Sequence, residues 1–186
     1  RLGSFAKTIG RPLAAGEADP LVPLNRRFGT LLQTLCALPQ WFIVAVEGAA
    51  MGGGFGLVCC ADQVLAHASA QFATPEVTLG IVPAQIAPFV VRRIGQAAAR
   101  RCLLTGERWD AAKAQIAGLV DEVVAGDMEA AVQAAIARHA AAAPQAVAAT
   151  KRLLLAQFET PLPALLDEAA IAFAQALRGA EAPQGL

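Results

Sequence analysis

Three consecutive glycines, Gly52 to Gly54, follow an apolar run at residues 41–46 and precede a second apolar segment that can form a helix. That order predicts a strand, a tight turn and a helix start. Glycines in such a turn remove the Cβ atoms that would hold a ligand away from the backbone, and the first N–H groups of a helix lack intrahelical acceptors. The turn therefore suits a developing negative charge, with a plain strand-to-helix connection as the open alternative.

Short apolar strands and helical segments alternate along the first 125 residues. This alternation predicts an α/β class with parallel pairing across the first crossover, a core over residues 1–125 and a helical region over residues 126–186. Residues 1–22 are expected to form an irregular or partly helical loop. Predicted strands cover residues 41–46, 63–66, 70–73 and 119–124. Predicted helices cover residues 24–38, 53–60, 84–94, 97–104, 111–116, 127–143, 144–158 and 161 or 163 to 177, with Asp110 and Asp127 as N-caps.

Charge and cysteine content argue against several classes of protein. Lysine plus arginine and aspartate plus glutamate both number 15, without a basic run, so nucleic-acid binding is not expected. The longest apolar run is far shorter than the ~20 residues of a membrane span. The four cysteines lie in apolar segments without C-x-x-C spacing, which favours buried reduced thiols in a cytoplasmic protein. Apolar residues make up 56% and charged residues only 16%, so a homo-oligomer is expected.

Three blocks of sequence carry a more specific pattern. Residues 43–54 hold the glycine turn, residues 61–83 hold Thr74-Pro75-Glu76, and residues 104–120 begin with Leu104-Thr105-Gly106. In this order and at this spacing, the blocks resemble the crotonase superfamily of enoyl-CoA hydratases and isomerases. The resemblance extends over nearly the whole chain. It implies a crotonase-like spiral of ββα turns, followed by helices that pack on the core or on a neighbouring subunit, in a homotrimer or a dimer of trimers.

The resemblance also implies an acyl-CoA substrate whose thioester oxygen is held by two backbone N–H groups. One of them would belong to Gly53. The other comes in the family from an earlier loop, and the start at Arg1 suggests that this loop and most contacts to CoA precede the given chain. No cofactor beyond the CoA of the substrate is expected, since neither a metal-ligand cluster nor a nicotinamide-binding fingerprint occurs. The residues expected to bind substrate are Met51, Gly52, Gly54, Gly56, Pro75, Leu79 and Gln85.

Glu76 is the expected acid/base. Pro75 makes a regular strand unfavourable there, which places Glu76 on a turn or helix start among apolar neighbours. Local sequence alone favours a solvated turn carboxylate, but the family motif places the catalytic acid/base at this Pro-Glu pair. Typical hydratases carry a second catalytic glutamate two residues after the third glycine, where this chain has Gly56. The usual pair of carboxylates is therefore incomplete.

Three functions remain open on this sequence. A hydratase would use Glu76 for both the water and the α-carbon proton. A Δ3,Δ2-enoyl-CoA isomerase would use Glu76 alone, and a non-catalytic homologue would only bind acyl-CoA. The glycine turn with the following residues 81–91 looks most like hydratases for branched glutaconyl-CoA esters, methylglutaconyl-CoA or isohexenylglutaconyl-CoA, where glycine also replaces the first glutamate. Hydration is therefore the leading hypothesis.

Other polar residues have less specific interpretations. His67 and His139 lack partners at ligand spacing, which favours structural or exposed positions. Asp62 is expected to form a cap or a turn. Lys151 and Arg152 are expected on a solvated helix face, with a contact to CoA phosphate as the alternative.

Overall fold

The computed structural model describes residues 12–13, 15–179 and 181–182. Most of the loop predicted over residues 1–22 thus lies outside the described residues. The first helix is α1, Leu21–Cys36, and it begins three residues earlier than predicted. The core elements that follow are β1 Ile43–Val46, β2 Ala49–Met51, α2 Gly53–Val58, β3 Gln63–His67, β4 Gln71–Ala73, the 3₁₀ turn Pro75–Leu79, α3 Ala87–Thr105, β5 Trp109–Asp110, α4 Ala111–Ile116 and β6 Glu122–Val124. Three helices complete the chain: α5 Met128–His139, α6 Pro144–Ala156 and α7 Leu162–Arg178.

Two small sheets carry the strands. One has the order β1-β3-β6 and is entirely parallel, which confirms the predicted pairing of β1 with β3 across the first crossover. The other has the order β2-β4-β5, with β4 parallel to β2 and antiparallel to β5. Strands β1 to β4 alternate between the two sheets, β5 stays in the second sheet, and β6 returns to the first.

The predicted direct path from strand to turn to helix is wrong in one respect. The chain bends at Glu47 and Gly48 and adds the strand β2 in the second sheet before the glycine turn begins. β2 and β5 have only three and two residues, so neither shows the periodicity that sequence analysis depends on. Their existence is decided by pairing with β4, not by local sequence.

The core is aromatic where the two sheets and the helices meet. Phe55, Phe72 and Trp109 are buried and lie edge to face, with ring centroids 6.5 Å and 6.2 Å from that of Phe55. They connect α2, β4 and β5, so the helix that follows the glycine turn is attached to the aromatic core. α5 packs separately on β1 and β3 around Leu65 and Met128. The division of the chain at residue 125 stays a prediction.

Helix ends follow the local sequence closely. Asp110 and Asp127 accept hydrogen bonds from the N–H groups of Lys113 and Ala130, which confirms both predicted N-caps. The two helices predicted on either side of Gly95 form α3, which is kinked at this glycine (φ 73°, ψ 164°). A membrane-spanning helix does not occur within the described ranges of the chain.

Lys151 is buried, not solvated as predicted. Its ammonium pairs with Asp62 and donates to Gln40 O, so α6 is fastened to the segments beside β3. Asp62 also accepts the Phe42 N–H over 2.7 Å, in agreement with its expected role in a turn. Arg152 is exposed as predicted. The alternative contact of Lys151 or Arg152 with a CoA phosphate stays a prediction.

We expect Lys151→Met to lower the free energy of unfolding by about 3 kcal/mol, because it leaves the partly buried Asp62 carboxylate without its counter-charge. The variant Lys151→Met/Asp62→Asn removes that charge and keeps an acceptor for Phe42 N–H. It should be more stable than Lys151→Met alone, as measured by urea denaturation. Equal stability of the single and double variants would contradict a structural role for the ion pair.

Candidate active site

The glycine turn joins β2 to α2 beside the end of β4. Gly52 N–H donates to Ala73 O over 2.8 Å and so continues the pairing of β2 with β4. Gly52 has φ 52° and ψ −116°, a conformation that residues with side chains rarely adopt. A methyl group on this residue would lie 2.8 Å from Glu76 Oε1. Glycine at this position therefore permits both the sharp turn and the approach of the carboxylate to the backbone.

Gly53 is the first residue of α2. Its N–H belongs to the first turn of the helix, which has no intrahelical acceptors. The first N–H of this region to find a helical partner is that of Gly56, which donates to Gly52 O over 3.1 Å. A methyl group on Gly53 would lie 3.1 Å from Phe28 Cζ of α1, whereas one on Gly54 would meet no described atom within 4 Å. The Gly53 N–H is thus a donor of the kind that stabilises an oxyanion.

Glu76 lies in the 3₁₀ turn directly after β4, which confirms the predicted turn or helix start. The preceding Thr74 is fully buried, and its hydroxyl donates to Cys102 O of α3 over 2.9 Å. On the other side, Ile81 N–H donates to Glu76 O over 3.0 Å. These two bonds hold the backbone before and after the carboxylate, so Glu76 extends from a fixed position.

The end of α3 packs against the same 3₁₀ turn. Gly106 ends this helix with φ 68°, and a methyl group on it would lie 2.8 Å from Thr78 Cγ2 and 3.5 Å from Pro75 Cα. Thr78 in turn donates to Pro75 O over 2.7 Å. The Pro-Glu pair and the Leu-Thr-Gly segment are therefore neighbours in space, although they are separated in sequence. Each limits the space that is available to side chains of the other.

One carboxylate oxygen of Glu76 is buried without a partner. Glu76 Oε2 is the only buried side-chain nitrogen or oxygen atom for which the described part of the chain supplies no hydrogen bond. An unsatisfied buried polar group costs about 1–3 kcal/mol, so such atoms call for an explanation. A bound molecule that donates a hydrogen bond to Oε2 would satisfy it.

The position of the missing second carboxylate is filled by a hydrocarbon side chain. Gly56 is buried, and a Cβ atom on it would lie 2.4 Å from Ile86 Cγ2 and 3.7 Å from Leu32 Cδ1. Ile86 is itself only 3% exposed. No side chain fits at position 56 unless Ile86 moves, so glycine and isoleucine form a complementary pair. On this side, the surroundings of the turn are apolar.

The remaining predicted substrate-binding residues are distributed around this centre. Met51 and Pro75 flank it, since Met51 pairs in register with Ala73 of β4 and Pro75 begins the 3₁₀ turn. Leu79 ends that turn and is 58% exposed. Gln85 lies against α1 instead of extending into solvent: its Oε1 would be only 1.9 Å from a Cβ atom on Gly29.

Sequence analysis missed three contributors to this site. Thr74 anchors the 3₁₀ turn, Ile86 occupies the space beside Gly56, and α1 supplies Phe28 and Leu32 behind the glycine turn. Apolar residues recur at three- and four-residue steps along α1, which indicates a buried face but not what that face covers. Thr74 had a detectable signal, because it directly precedes the Pro-Glu pair. Ile86 had none, because nothing local distinguishes it from other core residues.

Comparison of this sequence with known proteins identifies similar sequences. A family model described as enoyl-CoA hydratase/isomerase matches residues 17–186. The 2,3-dehydroadipyl-CoA hydratase of Escherichia coli K12 is 38% identical over 157 residues, which are 82% of this chain and 60% of that protein. A probable enoyl-CoA hydratase of Rhizobium meliloti is 43% identical over 86 residues, which are 46% of this chain and 34% of that protein. The chain thus spans less than two thirds of the length of these relatives.

Solved structures show the same similarity. Pseudomonas aeruginosa AtuE superimposes with a TM-score of 0.87 at 49% identity, covering 92% of this chain and 67% of that one. An enoyl-CoA hydratase/isomerase from Marinobacter aquaeolei superimposes with a TM-score of 0.90 at 41% identity, covering 100% of this chain and 71% of that one.

Proposed function

The chain belongs to the enoyl-CoA hydratase/isomerase family, and from this premise we propose that it adds water to the double bond of an α,β-unsaturated acyl-CoA thioester. The proposal extends to the full-length protein, because this chain spans only 60% of its E. coli relative. The observation that carries it is the buried, unpartnered Glu76 Oε2 beside the glycine turn. A water molecule donating to Oε2 would satisfy that atom and be the nucleophile.

The proposed reaction divides between two groups of this chain. Glu76 accepts a proton from water as the water oxygen attacks the β-carbon. The electron pair of the double bond moves toward the thioester, whose oxygen becomes enolate-like and accepts a hydrogen bond from Gly53 N–H. Glu76 then returns the proton to the α-carbon. The carboxylate ends as it began, so a single acid/base suffices, and the steps call for no cofactor beyond the CoA of the substrate.

Isomerisation is the second candidate, and the Gly56–Ile86 contact favours it over a two-carboxylate hydratase. With a hydrocarbon wall where the second carboxylate would be, Glu76 alone can take a proton from the α-carbon of a 3-enoyl thioester and deliver it to the γ-carbon. The same Gly53 N–H would stabilise the dienolate. The two candidates differ in whether a water molecule fits between Glu76 and the acyl chain.

A substrate panel tests both candidates in the full-length protein. Hydration is expected to remove the conjugated-thioester absorbance of a 2-enoyl-CoA, and isomerisation would create this absorbance from a 3-enoyl-CoA. We propose a branched glutaconyl-CoA ester as the preferred substrate, so the panel includes such esters, 2,3-dehydroadipyl-CoA and an unbranched crotonyl ester. Acyl-CoA binding with no absorbance change for any substrate would contradict the proposed enzyme and leave a binding protein.

We also propose a homotrimer or a dimer of trimers in the cytoplasm. Large apolar side chains are exposed along α7, among them Leu162, Leu166, Phe173 and Leu177. Covering them with a neighbouring subunit would remove this apolar surface from water. The four cysteines are free thiols, which fits a reducing compartment.

A further inference from the structure

A cavity of about 320 Å³ lies where α6 covers the C-terminal end of α1, the end of α2 and the first part of α3. Its lining includes three cysteines, Cys36, Cys59 and Cys60, and the cationic residues Arg92 and Lys151. The glycine turn and Glu76 do not line it. The cavity reaches the surface, because Leu154 and Phe158 on its rim are 57% and 52% exposed.

Two of these thiols, Cys36 and Cys60, are brought to the same cavity although they are far apart in sequence. Cys60 Sγ donates toward Leu32 O at 3.6 Å and toward Gly56 O at 3.4 Å, so it bridges α1 and α2. Cys36 lies one helical turn after Leu32 on α1, so the Cys60 thiol lies beside the turn of α1 that carries Cys36. Cys36 is half-buried, whereas Cys60 is 5% exposed. Both residues line the cavity, and Cys36 is the more accessible of the two.

The cavity also favours a thiolate at Cys36. The hydrogen bond from Cys60 is the main influence that lowers the pKa of Cys36, and the charges of Arg92 and Lys151 add to it, against the opposing effects of burial and of Asp62. Lys151 is already paired with Asp62, so Arg92 contributes the less compensated charge. Burial raises the pKa of Cys59, which has no thiol hydrogen bond of this kind. The thiolate is the nucleophilic form of cysteine, so the three thiols should differ in reactivity.

We propose that Cys36 and Cys60 form a peroxide-sensitive thiol pair that oxidises to a disulfide between α1 and the end of α2. The Cys36 thiolate attacks one oxygen of hydrogen peroxide, the O–O bond breaks and hydroxide leaves, which gives a sulfenic acid. The Cys60 thiol then attacks the Cys36 sulfur, the S–O bond breaks and the departing oxygen leaves as water with the Cys60 proton. Two sulfur atoms together lose two electrons, and one peroxide is reduced to two waters once the hydroxide takes up the proton that the Cys36 thiol released.

The high pKa of Cys60 does not oppose the second step. Its largest cause is the hydrogen bond with Cys36, which is strongest while Cys36 carries a negative charge. Conversion of Cys36 to a neutral sulfenic acid removes that cause. The bridge would join α1 to α2 directly behind the active site, because Phe28 and Leu32 of α1 contact the positions of Gly53 and Gly56. A redox change at the cavity would thereby restrict the helix that backs the glycine turn.

To test this proposal, the full-length protein is treated with hydrogen peroxide and its remaining free thiols are alkylated. The products are then mapped by peptide mass spectrometry. The expected product has lost two hydrogens and contains a Cys36–Cys60 bridge that dithiothreitol reverses. Cys36→Ser should lose the bridge completely. Cys60→Ala should instead accumulate a sulfenic acid at Cys36 that dimedone traps. Cys59→Ala is the matched control, since Cys59 lines the same cavity, and it should form the bridge as the unmodified chain does.

Two results would overturn the proposal. One is a bridge between other cysteines, such as the adjacent Cys59 and Cys60. The other is equal alkylation rates for Cys36 and Cys59 in the unmodified protein before any peroxide is added, a measurement that does not depend on whether a variant folds. Neither readout requires enzymatic activity, so failure of the thiol pair and failure of the proposed hydratase are distinguishable.

Discussion

Glu76→Gln is expected to lower kcat for the proposed hydration by about 10²–10⁴-fold, the usual contribution of a general acid/base. Glutamine retains the size and an acceptor oxygen of the side chain, but it cannot take a proton from water or return one to carbon. The backbone around position 76 is held by the Thr74 and Ile81 hydrogen bonds, which the substitution does not touch. The loss should therefore fall on kcat, with acyl-CoA binding retained in calorimetry.

Glu129→Gln provides the matched control for this experiment. Glu129 is exposed on α5 and accepts a hydrogen bond from Gln133, far in sequence from the proposed site. The same chemical change there should leave kcat within about twofold, because exposed substitutions away from structural features have small effects. Unchanged turnover in Glu76→Gln would show that Glu76 is not the acid/base. The unpartnered Oε2 atom would then no longer support the proposed function.

Gly56→Glu, which introduces the carboxylate typical of related hydratases, should destabilise this chain and not improve its catalysis. The new Cβ atom would lie 2.4 Å from Ile86 Cγ2, and the carboxylate would be placed in an apolar interior without a counter-charge. Overpacking typically costs about 1–3 kcal/mol, and burial of an unpaired charge adds to that cost. We expect the free energy of unfolding in urea to fall by about 3 kcal/mol or more.

Two further variants separate the steric cause from a general effect of glutamate. Gly126→Glu makes the same change at an exposed glycine, where a new Cβ atom would meet no described atom within 4 Å, and it should be close to neutral. Gly56→Glu/Ile86→Ala removes the opposing methyl groups, so its stability should exceed the sum of the two single effects by about 1–3 kcal/mol. Strict additivity, or equal stability of Gly56→Glu and Gly126→Glu, would contradict the complementary pair.

The Gly56–Ile86 contact also shows what occupies the place of the missing carboxylate. A glycine at position 56 shows from sequence alone that one carboxylate is missing. It does not show what replaces it, and a water-filled space would have allowed an ordered water network near the acyl chain. The structure places a buried isoleucine there instead. Glu76 is the ionisable side chain that lies against Gly52, and the proposed mechanism assigns both proton transfers to it.

Much of this protein could be predicted before its structure was known. The order of the glycine turn, the Pro-Glu pair and the Leu-Thr-Gly segment identified the family, which the family model confirms over residues 17–186. The α/β crotonase fold is confirmed by solved structures with TM-scores of 0.87 and 0.90. Caps at Asp110 and Asp127 were correct, because a cap depends on residues within one turn of it. The catalytic assignments of Glu76 and Gly53 stay predictions.

The sequence-based predictions failed where segments that are distant in sequence meet in the fold. The sequence around Lys151 is typical of an exposed helix residue. In the structure Lys151 is buried, because it forms an ion pair with Asp62, which is 89 positions away. The strands β2 and β5 exist only because β4 lies between them. Thr74 anchors the 3₁₀ turn to a carbonyl 28 positions later. In each case the deciding partner is too far along the chain for a local pattern to reveal it.

By itself, then, the sequence determined which backbone groups this chain offers: a tight glycine turn, an unpaired helix start, and a glutamate held after proline. Those properties follow from glycine, proline and helix geometry over a few residues. Only the tertiary structure decided that Glu76 comes to the glycine turn with one oxygen unpartnered, and that Ile86 fills the space beside Gly56. Such distances depend on how two sheets and the surrounding helices pack, because close packing brings together atoms whose separation in sequence carries no information about their separation in space.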